Sequence, residues 1–270
     1  SEFEILGAPV KVTTVCHPRL DLVAVRIESP EIAAGKLMVE IAFPRGHDLS
    51  IKNHPPLDWS KPDSHKTLIE SRSLHRADLT RTIDNTRYHV ALGWRGRGDV
   101  AEYKPHRFLV YPSGKTNVFE FTVSFSPNPQ GEHLPGFAET LTASTLEWQK
   151  YWTRGAAVDF SGSTDPRAVE IERRAVLSQY LTAVQMAGET PPQESGLTCS
   201  TWYGKHHSEM IWWHAAHFAL WGRDDLLEKN LAWYRDQLNN ARKLAASRGL
   251  KGARWAKMTG PDGRESPGGN

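Results

Sequence analysis

Four histidines, one carboxylate and three tryptophans fall within the sixteen residues from Trp202 to His217. A helix that only fills a core is built from aliphatic side chains, because every buried indole or imidazole needs a partner for its N–H. The composition points instead to a polar pocket with aromatic walls. Such a pocket suits a sugar, whose C–H faces stack on indole while its hydroxyls take charged or amide partners. Trp202, Tyr203, His206, His207 and Glu209 are the candidate ligand-binding residues here, and Arg254, Trp255 and Glu265 join them from further along the chain.

Each candidate also has a plainer reading. Glu209 sits near a helix start, where a carboxylate complements the dipole without touching a ligand. His206 and His207 read either as partners of Glu209 or of sugar hydroxyls, or as loop histidines. His214 and His217, three apart on one helix, read as core histidines with satisfied hydrogen bonds, and Trp212, Trp213, Trp221 and Trp233 as packing. Arg254 suits bidentate contact with hydroxyls or a clamp on Glu265 or Asp262. A metal centre is the rival reading of the histidines, but the His-Glu-x-x-His spacing that sets two imidazoles on one helical face is missing. No metal and no cofactor is expected.

Two kinds of element must position these residues. From Phe3 to about Phe125 the apolar pattern has period two, with strands expected at 10–15, 22–27, 37–43, 87–92 and 117–123. Gly7-Ala8-Pro9, Ser113-Gly114 and the run from Asn128 to Gly131 break them, and an antiparallel sandwich follows. Asp58-Trp59-Ser60 and Gly93-Trp94-Arg95-Gly96-Arg97-Gly98 read as solvated turns, or as loops over the mouth of the helical region. From Leu141 the period is that of helices. Asp165 before Pro166 starts one that runs through Ala168, Ile171, Ala175, Leu177 and Leu181 towards Gly188. Glu209 to Trp221 is apolar nearly all round, as a helix buried on most sides would be. Asp224 and Asp225 open a third, with Leu227, Leu231, Tyr234, Leu238, Ala241 and Ala245 on one stripe and Gly249 closing it. Three regions are expected: a sandwich over 1–135, a helical linker over 136–162, and helices from 163 to 270.

With 270 residues, 39% of them hydrophobic, the chain is long enough for two cores. A net charge of +2 with mixed signs leaves no basic stripe, so no nucleic-acid partner is expected. No apolar run approaches the ~18 residues of a membrane span. Cys16 and Cys199 are too few for a disulfide framework or a zinc ribbon.

The segment Gly204-Lys205-His206-His207-Ser208-Glu209-Met210, leading into Trp212-Trp213, resembles the glycine, aromatic, Asp-Thr-Glu segment that opens an inner helix in glycoside hydrolase family 65 and related six-hairpin glycosidases. Gly252-Ala253-Arg254-Trp255 and then Gly263-Arg264-Glu265-Ser266-Pro267 are similar to that family's Gly-Ala-x-aromatic and acidic motifs, in the same order. A bacterial branch of the clan matches further through Pro191–Leu197 and the Trp-Tyr-Gly-Lys-x-His-x-Glu-Met-x-Trp-Trp-His pattern. The resemblance implies an antiparallel sandwich of the supersandwich kind, a helical linker and the start of an (α/α)6 toroid. It implies a carbohydrate substrate and an inverting glycosidase with sugar-binding residues at subsite −1, and a periplasmic or extracellular place is favoured. His207 stands where the family has an aspartate, which halves the paired carboxylate grip. The general acid is expected beyond Asn270, so the chain reads as an internal piece, a half-site inert alone. A non-catalytic carbohydrate-binding protein and a polysaccharide lyase on a similar toroid are the alternatives, as are the related rhamnosidases and fucosidases.

Overall fold

The computed structural model describes residues 1–46, 57–197 and 201–265; Cys199 and the tail from Ser266 lie outside them. The chain divides into two compact units, one comprising Ser1–Gly46 and Leu57–Lys150 and the other running on from Tyr151.

The first unit is an antiparallel β-sandwich. Its strands are β1 (Glu2–Ile5), β2 (Ala8–Cys16), β3 (Leu22–Glu28), β4 (Val39–Ala42), β5 (His65–Arg72), β6 (Arg76–Ile83), β7 (Thr86–Trp94), β8 (Arg97–Lys104), β9 (Arg107–Ser113) and β10 (Val118–Ser126). Seven form one sheet in the order β1-β2-β3-β10-β7-β6-β5, and the other three form a second, β4-β9-β8. The alternation read from the sequence sorts the faces: on β3, Ile27 and Val25 enter the main core, while Leu22 and Ala24 pack on Phe137 and Leu134. Leu79, Val90, Leu92 and Phe119 of the large sheet meet Val100, Phe108 and Val110 of the small one. Each such side chain contributes roughly 1.5–3 kcal/mol by its burial.

In the segment Gly93 to Gly98 only Arg95 and Gly96 form the expected turn, which carries the chain from β7 in the large sheet to β8 in the small one. Trp94 ends β7, Arg97 begins β8, and the buried indole donates to the Leu74 carbonyl at 2.8 Å. A Cβ on Gly98 would stand 2.7 Å from that indole nitrogen, so only glycine lets the ring lie there. Asp58 pairs with Arg45 through the backbone, and Trp59 lies under the Arg107 guanidinium, 3.9 Å away.

The sandwich also holds a fully buried cation. Arg81 donates to His65 Nδ1 at 2.8 Å, Thr67 Oγ1 at 2.7 Å and the Pro44 carbonyl at 3.2 Å, and its guanidinium stands 5.3 Å from the Phe43 ring centre. The rings of His65 and His106 stack with centroids 3.8 Å apart. Burial first, then His106, Arg81 and Arg45, lower the His65 pKa to about 4, with Asp58 opposing them. His65 is therefore neutral and accepts the Arg81 hydrogen bond at Nδ1. The unfolded chain, with an ordinary histidine near 6.5, binds a proton more readily, so this site's stabilisation is complete above pH 6.5 and lost as pH falls towards 4. The urea midpoint of the sandwich should drop between pH 7 and 4.5 more steeply in wild type than in His65→Asn, which keeps an acceptor but does not titrate.

In the second unit lie α3 (Ala168–Met186), α4 (Ile211–Leu220), α5 (Asp224–Asp236) and α6 (Leu238–Ser247), after α1 (Pro30–Ala33) and α2 (Phe137–Thr153) earlier in the chain. Two short strands, β11 (His206–His207) and β12 (Met258–Thr259), pair antiparallel. Among the described residues no helix is long and apolar enough to cross a membrane. Arg223 is almost fully buried, 4.1 Å over the Tyr151 ring, and donates to Gln179 Oε1 and the Tyr151 carbonyl. It ties the end of α2 to α3 and to the α4–α5 turn.

Several helical expectations need correction. Asp165 does accept from the Arg167 backbone at 2.8 Å, but in a turn before α3, which begins only at Ala168. The apolar face of α3 is not buried: Ile171, Leu177 and Leu181 are exposed, and only Ala168 and Gln179 are buried. On α4, expected to be enclosed on most sides, only His214, Ala215 and Phe218 are buried, while Trp212 is 67% and Trp213 71% exposed. The helix packs against α5 and, less extensively, against α3, and its remaining faces stay open, so apolar composition overstated the enclosure. The third helix is two. Gln237 interrupts it between α5 and α6, held by Asn240, whose Nδ2 donates to Gln237 Oε1 and to the Asp262 carbonyl. Its buried stripe is Asn230, Trp233, Ala241 and Ala245, with Leu231 exposed. Gly249, at φ 69°, closes α6 as expected.

Candidate functional site

A short backbone ladder assembles the site. His206 pairs with Thr259 and His207 with Met258 across β11 and β12. Isolated bridges extend the ladder from His206 to Gln193 on one side and from Thr259 to Glu265 on the other. Two regions distant in sequence, one around 193 and 206 and the other around 259 and 265, are thereby drawn together. Ser208 anchors the next turn, its N–H donating to the Lys257 carbonyl at 2.9 Å and its hydroxyl to the Ala256 carbonyl at 2.7 Å. Glu209 follows at the entrance to α4.

Successive residues of a strand face opposite ways, and this splits the candidates into two groups. His206 turns inward. Its Nε2 meets the Tyr234 hydroxyl at 2.8 Å, its ring packs edge-on against Trp233 and Tyr234, and Tyr234 in turn packs on Trp255. Burial lowers the His206 pKa to about 4 and raises that of Tyr234 to about 12, so both are neutral at pH 7. A cavity of about 310 Å³ lies beside this group, lined by His206, Gln193, Trp233, Thr259 and Pro261 among others.

His207 faces the other way, into the group that contains Glu209. The Trp202 ring packs edge-on against it with centroids 5.5 Å apart. Glu209 is exposed, with Oε1 3.4 Å from Lys257 Nζ and 4.0 Å from His207 Nδ1. Lys257 Nζ also stands 5.9 Å from the Trp202 ring centre. An indole, a carboxylate and an ammonium thus share one small surface. His207 itself is 1% exposed, and burial lowers its pKa against the opposing pull of Glu194 and Glu209. Trp202 and Tyr203 both adopt left-handed backbone, at φ 48° and 64°. Non-glycine residues rarely do so, and such strain gathers at ligand sites.

The remaining candidates do not join this surface. Arg254 is half-buried and anchors through its backbone N–H to the Ala241 carbonyl. Glu265 is clamped not by Arg254 but by Arg248, at 2.7 and 2.6 Å, and Asp262 is held by Arg264. Arg248 lies one residue beyond the end of α6. Among the core histidines, His214 Nε2 meets the Glu194 carbonyl at 3.0 Å, but His217 Nε2 has no partner among the described residues, so only part of that expected satisfaction is found. Trp233 packs as expected, donating to the Pro261 carbonyl at 2.8 Å. Lys257, Tyr234 and Glu194 are contributors that motif reading passed over. Lys257 lies two residues after Trp255, and Glu194 lies within the Pro191–Leu197 segment. Among the described residues, no three or more His, Cys, Asp or Glu side chains are grouped as ligands of a metal ion.

Neither a family model nor a curated protein matches this sequence. Fifteen chains of solved structures do match. One, described as "Putative kojibiose phosphorylase from human microbiome", aligns with 98% of this chain at a TM-score of 0.64 and 12% identity. This chain spans 37% of that protein's length. The likeness shows a shared fold, and the order of a β-sandwich followed by the opening helices of a toroid agrees with it.

Proposed function

We propose that this chain is the sandwich and first toroidal helices of an inverting enzyme that cleaves glycosidic bonds, with its sugar-binding surface around Glu209. The observation that carries the reading is the ladder through His206, Thr259 and Glu265, which joins the first and last of the three motifs that resemble family 65, while Trp255 of the middle one packs on Tyr234 beside His206. Trp202 and Tyr203 offer aromatic faces, and Glu209 accepts from sugar hydroxyls while Lys257 donates to them. His207 and His206 fix the strand between them. Trp255 and Arg254 back the inner group, and Glu265 holds the end of the ladder. All eight are assigned to the support or lining of subsite −1.

No catalytic acid is assigned within this chain; the resemblance puts it further along the polypeptide. An inverting mechanism needs that acid and an attacking oxygen on opposite faces of the sugar ring. Water and phosphate both fit that requirement. The name of the fold relative and the nearby Lys257 ammonium favour phosphate as the attacking group.

The test is a panel of α- and β-linked disaccharides and aryl glycosides, offered to the full-length protein with and without inorganic phosphate. Phosphate-dependent formation of a sugar 1-phosphate of inverted configuration is the expected result, and reducing sugar of inverted configuration would assign a hydrolase. Binding of sugars without turnover of any would move the protein to the class of non-catalytic carbohydrate binders.

A further inference from the structure

The aspartate that the family-65 resemblance calls for is replaced here by His207, yet two carboxylates still flank that position. Glu209 Oε1 lies 4.0 Å from His207 Nδ1, and Glu194 Oε2 lies 3.8 Å from the same nitrogen. Glu194 comes from a different stretch of chain, brought in by the bridge between Gln193 and His206. Its own carbonyl accepts from His214 Nε2, which fixes the backbone at that point. The imidazole beside the two acids is 1% exposed, and neither of its nitrogens has a partner at hydrogen-bond distance among the described residues. A buried polar ring left unpaired costs about 1–3 kcal/mol, and contacts of this kind often stay long until a ligand tightens them. Both carboxylates reach solvent, Glu194 with 28% and Glu209 with 57% of the side chain exposed.

We propose that Glu194 is a second ligand-binding carboxylate of this site, set with Glu209 at the Nδ1 edge of His207, so that the two acids grip hydroxyl or ammonium groups of one sugar ring. The paired grip that the motif loses at His207 is thereby rebuilt from upstream. His207 is a positioning residue: its Nδ1 faces both acids and closes on them when a ligand draws them in. The inference rests on reading the surface as a sugar subsite. It carries a preference of its own, because two carboxylates with one ammonium favour a sugar-shaped cation over a neutral sugar.

Calorimetric titration of the full-length protein with D-glucose and with the iminosugar 1-deoxynojirimycin tests this, in wild type, Glu194→Gln and Glu209→Gln. The expected result is tighter binding of the iminosugar by wild type and a loss of tenfold or more in each variant. Wild-type affinity in Glu194→Gln with loss in Glu209→Gln overturns the assignment of Glu194 and leaves the subsite standing. No binding of either probe by wild type removes the subsite reading, and this inference with it. Nitrogen-15 spectra of the His207 ring supply a second measurement that needs no variant. Saturation of wild type with the iminosugar should shift the ring signals, and an unchanged spectrum overturns the proposal.

Discussion

Glu209→Gln in the full-length protein should lower kcat/KM for the best glycoside by about 100-fold, or ~2.7 kcal/mol of transition-state stabilisation. The substitution keeps the volume of the side chain and one acceptor oxygen but removes the charge. A hydrogen bond to a charged group contributes about 1.5–3 kcal/mol, roughly twice a neutral one, and Glu209 has two oxygens to offer to adjacent hydroxyls. The fold should be indifferent. Glu209 is exposed, and its ion pair with Lys257 at 3.4 Å is of the surface kind that adds little. An unchanged thermal melt with lost turnover is therefore the expected pattern. Wild-type kinetics in this variant would remove Glu209 from the site.

The largest loss of stability is expected from Arg81→Met. Methionine fills much of the space but offers no donors, so Thr67 Oγ1, His65 Nδ1 and the Pro44 carbonyl lose the guanidinium that satisfied them. Removing one member of a buried charged network costs about 3–5 kcal/mol. In a sandwich of this size that is a fall of roughly 10–17 °C in its melting temperature. Scanning calorimetry reads it directly, and Arg81→Lys should recover only part, because an ammonium cannot reach three acceptors from one planar fork. A shift below 2 °C would mean that the network is not what holds β5 to β6.

That network also explains what the sequence hid. Strands β2, β3, β7 and β10 were legible because their inward positions carry valine, leucine, isoleucine and phenylalanine. β5 and β6 were not, since the residues they bury include His65, Thr67, Thr80 and Arg81. A hydropathy pattern counts those as outward-facing. The break at Gln237 was equally invisible, because it depends on Asn240 and Asp262 meeting across a loop. At the site, the motifs were readable one by one, but their conjunction was not. His206 and His207 are adjacent letters that serve opposite faces, a fact that follows only from their pairing with Met258 and Thr259. Glu194 became a candidate only once the bridge at Gln193 set it beside them.

The left-handed backbone at Trp202 and Tyr203 has a consequence for anyone redesigning this chain. A non-glycine residue held there costs on the order of 1–3 kcal/mol, and glycine would relieve the strain at both positions. An optimiser rewarded only for thermal robustness would therefore erase the two aromatic rings early and report an improvement. Selection of variants has to score ligand capture beside melting temperature, since at these two positions the more durable protein is the one with less to hold on with.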